Sequence, residues 1–223
     1  EFVAKAAAGR ADEINTCIAC NQACLDHIFE RQLASCLVNP QAGHETEWDI
    51  RPAARVKSIA VVGAGPAGLA CATLLAERGH RVDLFEAAGE IGGQFNLARR
   101  IPGKEEFCET LRYFTRRVDV TGVRLHLNTR ADPAALLAAG YDDIVLATGV
   151  TPRDPAIPGA REHAGRVLSY ADVLRGAPVG PRVAIVGAGG IGFDVAEYVL
   201  DAGHSPTLDL AAWLREWGIA DPA

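Results

Sequence analysis

The chain has 223 residues, of which 49% are hydrophobic, and its 28 acidic and 22 basic side chains give a formal net charge of -6 at pH 7. So large an apolar fraction argues against intrinsic disorder and allows one large core or two modest ones. The negative charge argues against a nucleic-acid partner, because phosphate contacts require clustered Lys and Arg.

The sequence also bears on location and completeness. Glycines interrupt its longest apolar runs and no signal segment is present, so we expect neither a membrane span nor secretion. Its six cysteines are mostly clustered rather than spread over a small secreted scaffold, which predicts reduced thiols and a cytoplasmic location. The chain begins with Glu1 and contains no methionine, so we expect a fragment of a longer polypeptide.

Three regions follow one another along the chain. Residues 1–50 form a cysteine-bearing segment with turn signals and one short predicted helix at 23–32. Residues 51–160 begin with the linker RPAAR and continue as alternating strand and helix patterns, up to the proline-rich stretch VTPRDPAIPGA. Residues 161–223 begin a second domain of the same α/β type.

The first α/β region opens with a predicted βαβ unit. SIAVVGAG is a buried strand entering a tight turn, PAGLACATLLAERG is a helix closed by Gly79, and RVDLFEA is a second strand. A helix near 105–117, the alternating VRLHLN, a short helix after Pro133 and the buried strand DDIVLATG follow. Together these patterns predict a Rossmann-like parallel sheet.

The second α/β region repeats the opening of the first. RVAIVGAGGIGFDVAEYVLDAG gives strand, glycine turn and helix again, at an offset of roughly 120 residues, which indicates a duplicated domain type. The repeat ends at Gly203. One amphipathic helical stretch follows, and the spacing of its Leu and Trp residues predicts a core face.

The first glycine loop has the pattern of a dinucleotide site. Gly63 permits the tight turn, Gly65 lets the backbone approach a pyrophosphate, and Gly68, after Ala67, allows close packing of helix on strand. Glu86 ends the next strand, where a carboxylate can accept hydrogen bonds from a ribose 2′-OH and would repel a 2′-phosphate. The alternative is a purely structural turn.

The second glycine loop, with Gly187, Gly189 and Gly192, has the same setting between a predicted strand and a helix. The strand that would carry its ribose-contacting acid cannot be identified, since Asp209 is equally well explained as a helix cap. This loop therefore does not by itself choose between NADH and NADPH, and a structural turn stays open as an alternative.

Four of the cysteines have the spacing C-x2-C-x3-C-x11-C, namely Cys17, Cys20, Cys24 and Cys36. Short spacings let one loop cover a face of a [4Fe-4S] cluster while a more distant thiolate closes the cage. A structural zinc site would more often show two paired C-x-x-C knuckles, and unpaired core cysteines that bind no metal are a further alternative. Cys71 and Cys108 fall in predicted helices, where we expect them to be packing residues.

Two dinucleotide loops with VLATG between them resemble the flavoproteins that have two dinucleotide-binding domains. The resemblance implies FAD in the first domain, with the strand end at Gly149 packed against it, and NAD(P)H in the second. In the disulfide reductases of that group a cysteine pair follows the Gly-Gly doublet, and none follows Gly92-Gly93 here. Electrons must therefore leave the flavin by another route.

The cysteine segment narrows the resemblance. INTCIACNQACLDHIF, EIGGQFNLARRIPGKEEF and VAIVGAGGIGFDVA look like the C-terminal half of the bacterial NADPH-dependent 2,4-dienoyl-CoA reductases. The resemblance implies an FMN-bearing TIM barrel before this chain as its partner and a fatty acyl-CoA substrate. It also implies a [4Fe-4S] cluster on the four spaced cysteines, NADPH at the second loop, and FAD contacts from the first loop and Glu86 together with Gly93, Gln94 and Lys104. No catalytic residue can be named.

The chain departs from that family near the cysteines, where Gln41 and Gly43 replace an Arg and a Cys. Related readings also stay open. A 2-enoate reductase or a trimethylamine-type dehydrogenase, in which the first site holds ADP instead of FAD, has the same layout. A small electron-relay subunit of a glutamate-synthase-like assembly would usually carry two clusters' worth of cysteines, so four favour a single-cluster enzyme.

Overall fold

A computed structural model describes residues 2–48, 50–201 and 205–220. The chain divides into two compact units. We call residues 1–95 with 106–149 the sheet unit, and residues 96–105 with 150–223 the C-terminal unit. None of the helices in the described ranges is long and apolar enough to span a bilayer.

The elements follow in chain order. They are α1 Phe2–Ala7, a 3-10 turn Ala11–Glu13, α2 Leu25–Phe29, β1 Ser58–Val62, α3 Pro66–Glu77, β2 Arg81–Phe85, α4 Phe95–Ala98, α5 Glu106–Thr121, β3 Arg124–His126, α6 Pro133–Ala138, β4 Asp143–Leu146, α7 Tyr170–Leu174, α8 Gly190–Leu200, a 3-10 turn Pro206–Leu208, and α9 Leu210–Glu216.

The sheet has the strand order β3-β2-β1-β4, and all of its pairs are parallel. β1 is central, pairing Val61 with Leu84 of β2 and with Val145 of β4. Its middle residues are buried, as expected for a strand covered on both faces. This confirms the predicted βαβ unit and the predicted parallel sheet.

Helices α3 and α5 complete the sheet unit. α3 begins with Pro66 directly after Gly65, and the chain leaves it through Gly79, whose φ is 93°. Leu69 and Ala72 of α3 and Val118 of α5 join the strands in one core. α6 begins at Pro133, and the Asp132 carboxylate caps it by accepting from the Ala135 N–H at 2.8 Å.

The C-terminal unit is helical in its described residues. Ile101, Val173, Leu174 and Val195 form its core. The predicted strand at 182–186 is wrong, since no described residue of this stretch pairs with another strand. A β-strand exists only through hydrogen bonds to a neighbour, and the described residues of this unit offer none, so the apolar stretch lies open to solvent with Val186 84% exposed.

Two smaller expectations can also be compared with the structure. The predicted helix at 23–32 is shorter, covering Leu25–Phe29, and Arg31 with a φ of 60° keeps the chain from continuing the helix. The amphipathic stretch at the end is α9, which Asp209 caps by accepting from the Ala212 N–H at 3.0 Å. The predicted repeat ends at Gly203, which lies outside the described residues.

Candidate cofactor sites

The first glycine loop makes the sharp turn that its sequence predicts. Gly63 has a φ of 104°, and its N–H donates to the Phe85 carbonyl at 2.8 Å. A Cβ on Gly63 would stand 2.8 Å from the carbonyl carbon of Ala147 and closer still to its oxygen. Glycine is therefore required twice here, by the backbone angle and by the strand end at Ala147.

Gly68 brings helix α3 against the same turn. A Cβ there would stand 3.0 Å from the carbonyl carbon of Gly63, closer to its oxygen, and 3.3 Å from the Ala147 side chain. Gly65, by contrast, has ordinary extended angles and open space within 4 Å of its Cβ position. The loop thus presents Gly65 and the α3 N-terminus to solvent, where backbone N–H groups can meet phosphate.

Glu86 lies beside this loop, directly after β2. Its carboxylate accepts from the Ala64 N–H at 2.8 Å and from the Ala88 N–H at 2.9 Å. The Glu86 side chain therefore stabilises the glycine loop through these hydrogen bonds. It also lies where the ribose of a bound dinucleotide is expected. Because an ionised carboxylate has about four lone-pair sites, acceptor capacity is left for a ribose hydroxyl.

The Gly92-Gly93 doublet is the third part of this site. The Gly92 N–H donates to the Ala64 carbonyl at 2.8 Å, and a Cβ on Gly93 would stand 3.2 Å from the Cα of Gly65. Gln94 follows on the surface, and Gly149 turns the chain just after β4 with a φ of 70°. The predicted residues of the sheet unit are thus at the carboxyl ends of β1, β2 and β4, where parallel sheets bind nucleotides.

The second glycine loop repeats the first in backbone detail. Gly187 has a φ of 119°, Gly189 has extended angles of -87° and 180°, and α8 begins at the next residue. A Cβ on Gly192 would stand 3.2 Å from the carbonyl carbon of Gly187 and closer to its oxygen. The turn therefore forms although the strand expected before it does not.

Lys104 belongs to the C-terminal unit. Its ammonium lies 2.7 Å from the Asp194 carboxylate on α8, and both side chains are partly exposed. Asp194 comes two residues after Gly192, so this ion pair stands beside the second glycine loop. The predicted FAD contact of Lys104 stays a prediction.

The cysteine segment is held together by its own backbone. The Ser35 N–H donates to the Ala23 carbonyl at 2.6 Å, which joins the turns that carry Cys36 and Cys24. The Ala19 N–H donates to the Cys17 sulfur at 3.3 Å. Ala19 has a φ of 53° and Asn21 one of 55°, left-handed angles that form tight turns between the cysteines and that are uncommon for alanine but tolerated by asparagine.

These observations define how far the segment fits a metal cluster. Cys17, Cys20, Cys24 and Cys36 are all free thiols, and such soft donors suit iron–sulfur or zinc. In the parts of the chain that the structure describes, no three His, Cys, Asp or Glu side chains are close enough to hold a metal ion. The thiol donors and the tight turns are of the kind that a metal cluster needs. That the four thiolates converge on one cluster is a proposal.

The other cysteines and Gly43 complete the comparison with the sequence. Cys71 packs against the core of the sheet unit, as predicted, and burial raises the pKa of its thiol. Cys108 is exposed, so its prediction as a packing residue is wrong, because the outer face of α5 carries it. Gly43 has a φ of 80°, and a Cβ there would collide with the carbonyl oxygen of Ala34.

Sequence reasoning missed two charged networks. On the sheet, buried Asp83 is paired with Arg124, and its Oδ1 lies 2.7 Å from His126 Nε2. Burial on its own raises the pKa of Asp83, but hydrogen bonds from His126, Arg124 and Tyr141 outweigh it and hold the pKa below its usual value. The second network joins residues 10–16 to the three arginines of LRYFTRR on α5, and no sequence pattern indicates which residues these arginines contact.

Comparison with known proteins agrees with this geometry. The family described as "Pyridine nucleotide-disulphide oxidoreductase" matches residues 57–215. A metal reductase of Desulforamulus reducens is 38% identical over 94% of this chain and 31% of its own length. A bilirubin reductase of Mediterraneibacter gnavus is 34% identical over 91% of this chain and 32% of its own length.

A solved structure of 2-naphthoyl-CoA reductase in complex with 2-naphthoyl-CoA is also similar. It has a TM-score of 0.85 and 38% identity over 90% of this chain and 30% of the other. The chain thus spans about a third of the length of the relatives that it matches. Because the family match covers most of the chain and both glycine loops, the chain belongs to the pyridine nucleotide-disulphide oxidoreductase family.

Proposed function

We propose that this chain is the electron-input part of a larger reductase. It binds FAD at the first glycine loop, NADPH at the second and a [4Fe-4S] cluster on the cysteine segment, and it serves an FMN-bearing barrel that reduces a conjugated double bond of an acyl-CoA. The observation that carries the proposal is the pair of glycine loops with the same backbone geometry, which follow four free thiols on one segment.

The division of the chain follows from this assignment. Residues 1–50 supply the cluster ligands, residues 51–160 the FAD site and residues 161–223 the start of the NADPH site. The family implies an oxidoreductase that uses FAD and NAD(P)H. The finer assignment of FAD to the first loop is supported by Glu86, whose carboxylate stands next to that loop, where a ribose hydroxyl needs an acceptor.

The cofactors contribute chemistry that the protein cannot supply alone. Bound flavin accepts a two-electron hydride from NADPH, whereas an iron–sulfur cluster passes electrons one at a time. The chain's own residues bind and orient these groups. Gly65 and the α3 N-terminus would hold the FAD pyrophosphate, Glu86 would accept a hydrogen bond from its ribose, and Cys17, Cys20, Cys24 and Cys36 would supply soft thiolates.

The substrate class is the part of the proposal furthest from these residues. It is supported by the resemblance of the cysteine and glycine motifs to the dienoyl-CoA reductases. The similar solved structure, a reductase in complex with 2-naphthoyl-CoA, also supports an acyl-CoA substrate. The FMN-bearing barrel and the acyl-CoA site belong to the remaining two thirds of the relatives' length and are proposals here.

The test uses the full polypeptide that contains this sequence. Nucleotide released by acid denaturation should be FAD and FMN, and NADPH should be consumed anaerobically when a 2,4-dienoyl-CoA is added. Release of ADP in place of FAD, with reduction of the protein by trimethylamine, would instead establish an amine dehydrogenase. NADPH oxidation with a saturated product from a free 2-enoate, and none from the thioester, would move the enzyme to the enoate reductases.

A further inference from the structure

Residues 10–16, which we call the arm, lie directly before Cys17 and along helix α5. Arg112 of α5 holds the arm by its backbone. Its Nη1 donates to the Asp12 carbonyl at 2.8 Å and its Nη2 to the Ile14 carbonyl at 3.0 Å. Its Nε donates to Glu109 at 2.7 Å, which fixes the guanidinium plane from the other side.

A buried carboxylate strengthens the same attachment. The Glu13 side chain is only 5% exposed and pairs with Arg10 within the arm. Arg116 and Arg117 of α5 stand 3.7 and 3.9 Å from its two carboxylate oxygens. The hydrogen bond from Arg10 is the main cause that holds the pKa of Glu13 below its usual value. The arm is therefore fixed by side-chain charge as well as by its backbone.

The arm also reaches the last cysteine turn. The Asn15 side-chain N–H donates to the Val38 carbonyl at 2.8 Å, two residues after Cys36. Ile14, whose carbonyl Arg112 holds, is the neighbour of Asn15. A side chain of α5 is thus connected through the arm to both ends of the cysteine spacing, Cys17 and Cys36.

The far end of the cysteine segment is attached to the sheet unit separately. The Ala53 N–H donates to the Arg78 carbonyl at 2.8 Å, and the Arg78 Nε donates to the Arg51 carbonyl at 3.1 Å. Arg78 caps α3, the helix that begins at the first glycine loop. The segment is held at one end by α5 and at the other by Arg78, which caps α3.

We propose that Arg112 is a positioning residue that fixes the cysteine segment to the nucleotide-binding sheet unit by gripping the arm. The inference rests on the proposed cluster and adds the residue that sets the cluster's place. The planar guanidinium is required, because it alone directs several N–H donors at the carbonyls of Asp12 and Ile14 and at the Glu109 carboxylate. A lysine ammonium keeps the positive charge but cannot donate to all three of these acceptors in one plane.

The test compares Arg112→Gln and Arg112→Lys with Arg81→Gln, an exposed arginine of β2 in the same unit. Hydrogen exchange followed by mass spectrometry reports on the arm, with amides of β1 as an internal reference. Both Arg112 variants should exchange the amides of Glu13 and Ile14, which donate to the carbonyls of Arg10 and Ala11, roughly tenfold faster or more, as expected when hydrogen bonds to a charged donor are lost. The amide of Asn39, which donates to the Cys36 carbonyl, should follow, and β1 should not change.

A second readout separates positioning from general stability. After anaerobic reconstitution, the Arg112→Lys chain should unfold at the same urea concentration as Arg81→Gln and yet show a changed electron paramagnetic resonance spectrum of its reduced cluster. Parent-like exchange of the Glu13 and Ile14 amides in Arg112→Lys would overturn the inference. Lack of sulfide in the parent chain would refute the proposed cluster, and the exchange data would still decide whether Arg112 holds the arm.

Discussion

Replacing Gly68 or Gly65 by alanine separates the two tasks of the first glycine loop. Each change adds one methyl group, at Gly65 just before α3 or at Gly68 in its first turn. At Gly68 the added Cβ would stand 3.0 Å from the carbonyl carbon of Gly63 and closer to its oxygen, so α3 must move away from the turn. At Gly65 the Cβ meets nothing within 4 Å.

The magnitudes follow from this difference. Overpacking of this kind costs about 1–3 kcal/mol, which lowers the melting temperature of a chain of this size by roughly 2–12 °C. Gly65 has a φ of -74°, which alanine adopts freely. The Gly65→Ala chain should therefore be as stable as the parent or more stable by about 0.4–1 kcal/mol, because its unfolded state loses entropy.

Stability and FAD affinity should respond to different substitutions. Gly68→Ala should lower stability, whereas Gly65→Ala should weaken FAD binding. A methyl group on Gly65 occupies the face that the pyrophosphate approaches, so FAD affinity should fall by roughly 5- to 150-fold if the added group costs the same 1–3 kcal/mol in the complex. Thermal melts by circular dichroism and quenching of FAD fluorescence give the two quantities. Parent-like FAD affinity in a stable Gly65→Ala chain would refute this placement of the nucleotide.

Three further predictions concern other parts of the chain. The pKa of Asp83 is lower in the folded state than in the unfolded state, where it is about 3.9. The Asp83 carboxylate therefore stabilises the fold fully above about pH 3.9, and this contribution is lost as the pH falls through the folded-state pKa. The free energy of unfolding of Asp83→Asn, measured in urea, should not show this loss at acid pH. Gly43→Ala should loosen the turn that carries Cys36 and reduce bound iron, whereas Gly9→Ala, which has a similar φ and open space, should leave bound iron unchanged. Lys104→Met should weaken FAD binding more than Asp194→Asn does, since only the first change removes the ammonium; equal FAD affinity in both variants would remove Lys104 from the site.

Much of the sheet unit could be predicted because its signals are local. The turn at Gly63, the proline that opens α3 and the carboxylate at Glu86 lie within one βαβ unit, and each has a backbone reason to be where it is. The second loop was also predictable at Gly187 and Gly192, since the turn depends on glycine angles within six residues. These features need no knowledge of distant contacts.

Apart from the helix at 23–32, which the left-handed angle of Arg31 shortens locally, the errors and omissions involve contacts with residues that are distant in sequence. The apolar stretch at 182–186 has the composition of a strand, but pairing depends on a neighbour that composition does not reveal. Cys108 was expected inside because the face of α5 that turns toward the sheet was not known. The hydrogen bond from Arg112 to the Asp12 carbonyl joins residues 100 positions apart, and no sequence pattern predicts that they meet.

The proposed four-thiolate iron–sulfur site lies on the same chain as the proposed FAD site. Anaerobic reconstitution with iron and sulfide, followed by chemical analysis, decides whether the four cysteines hold such a cluster. We expect about four irons and four sulfides per chain in the parent and in Cys71→Ser, and clearly fewer in Cys24→Ser. Tight binding of a single zinc with no acid-labile sulfide would contradict the account and leave a structural metal knuckle in its place.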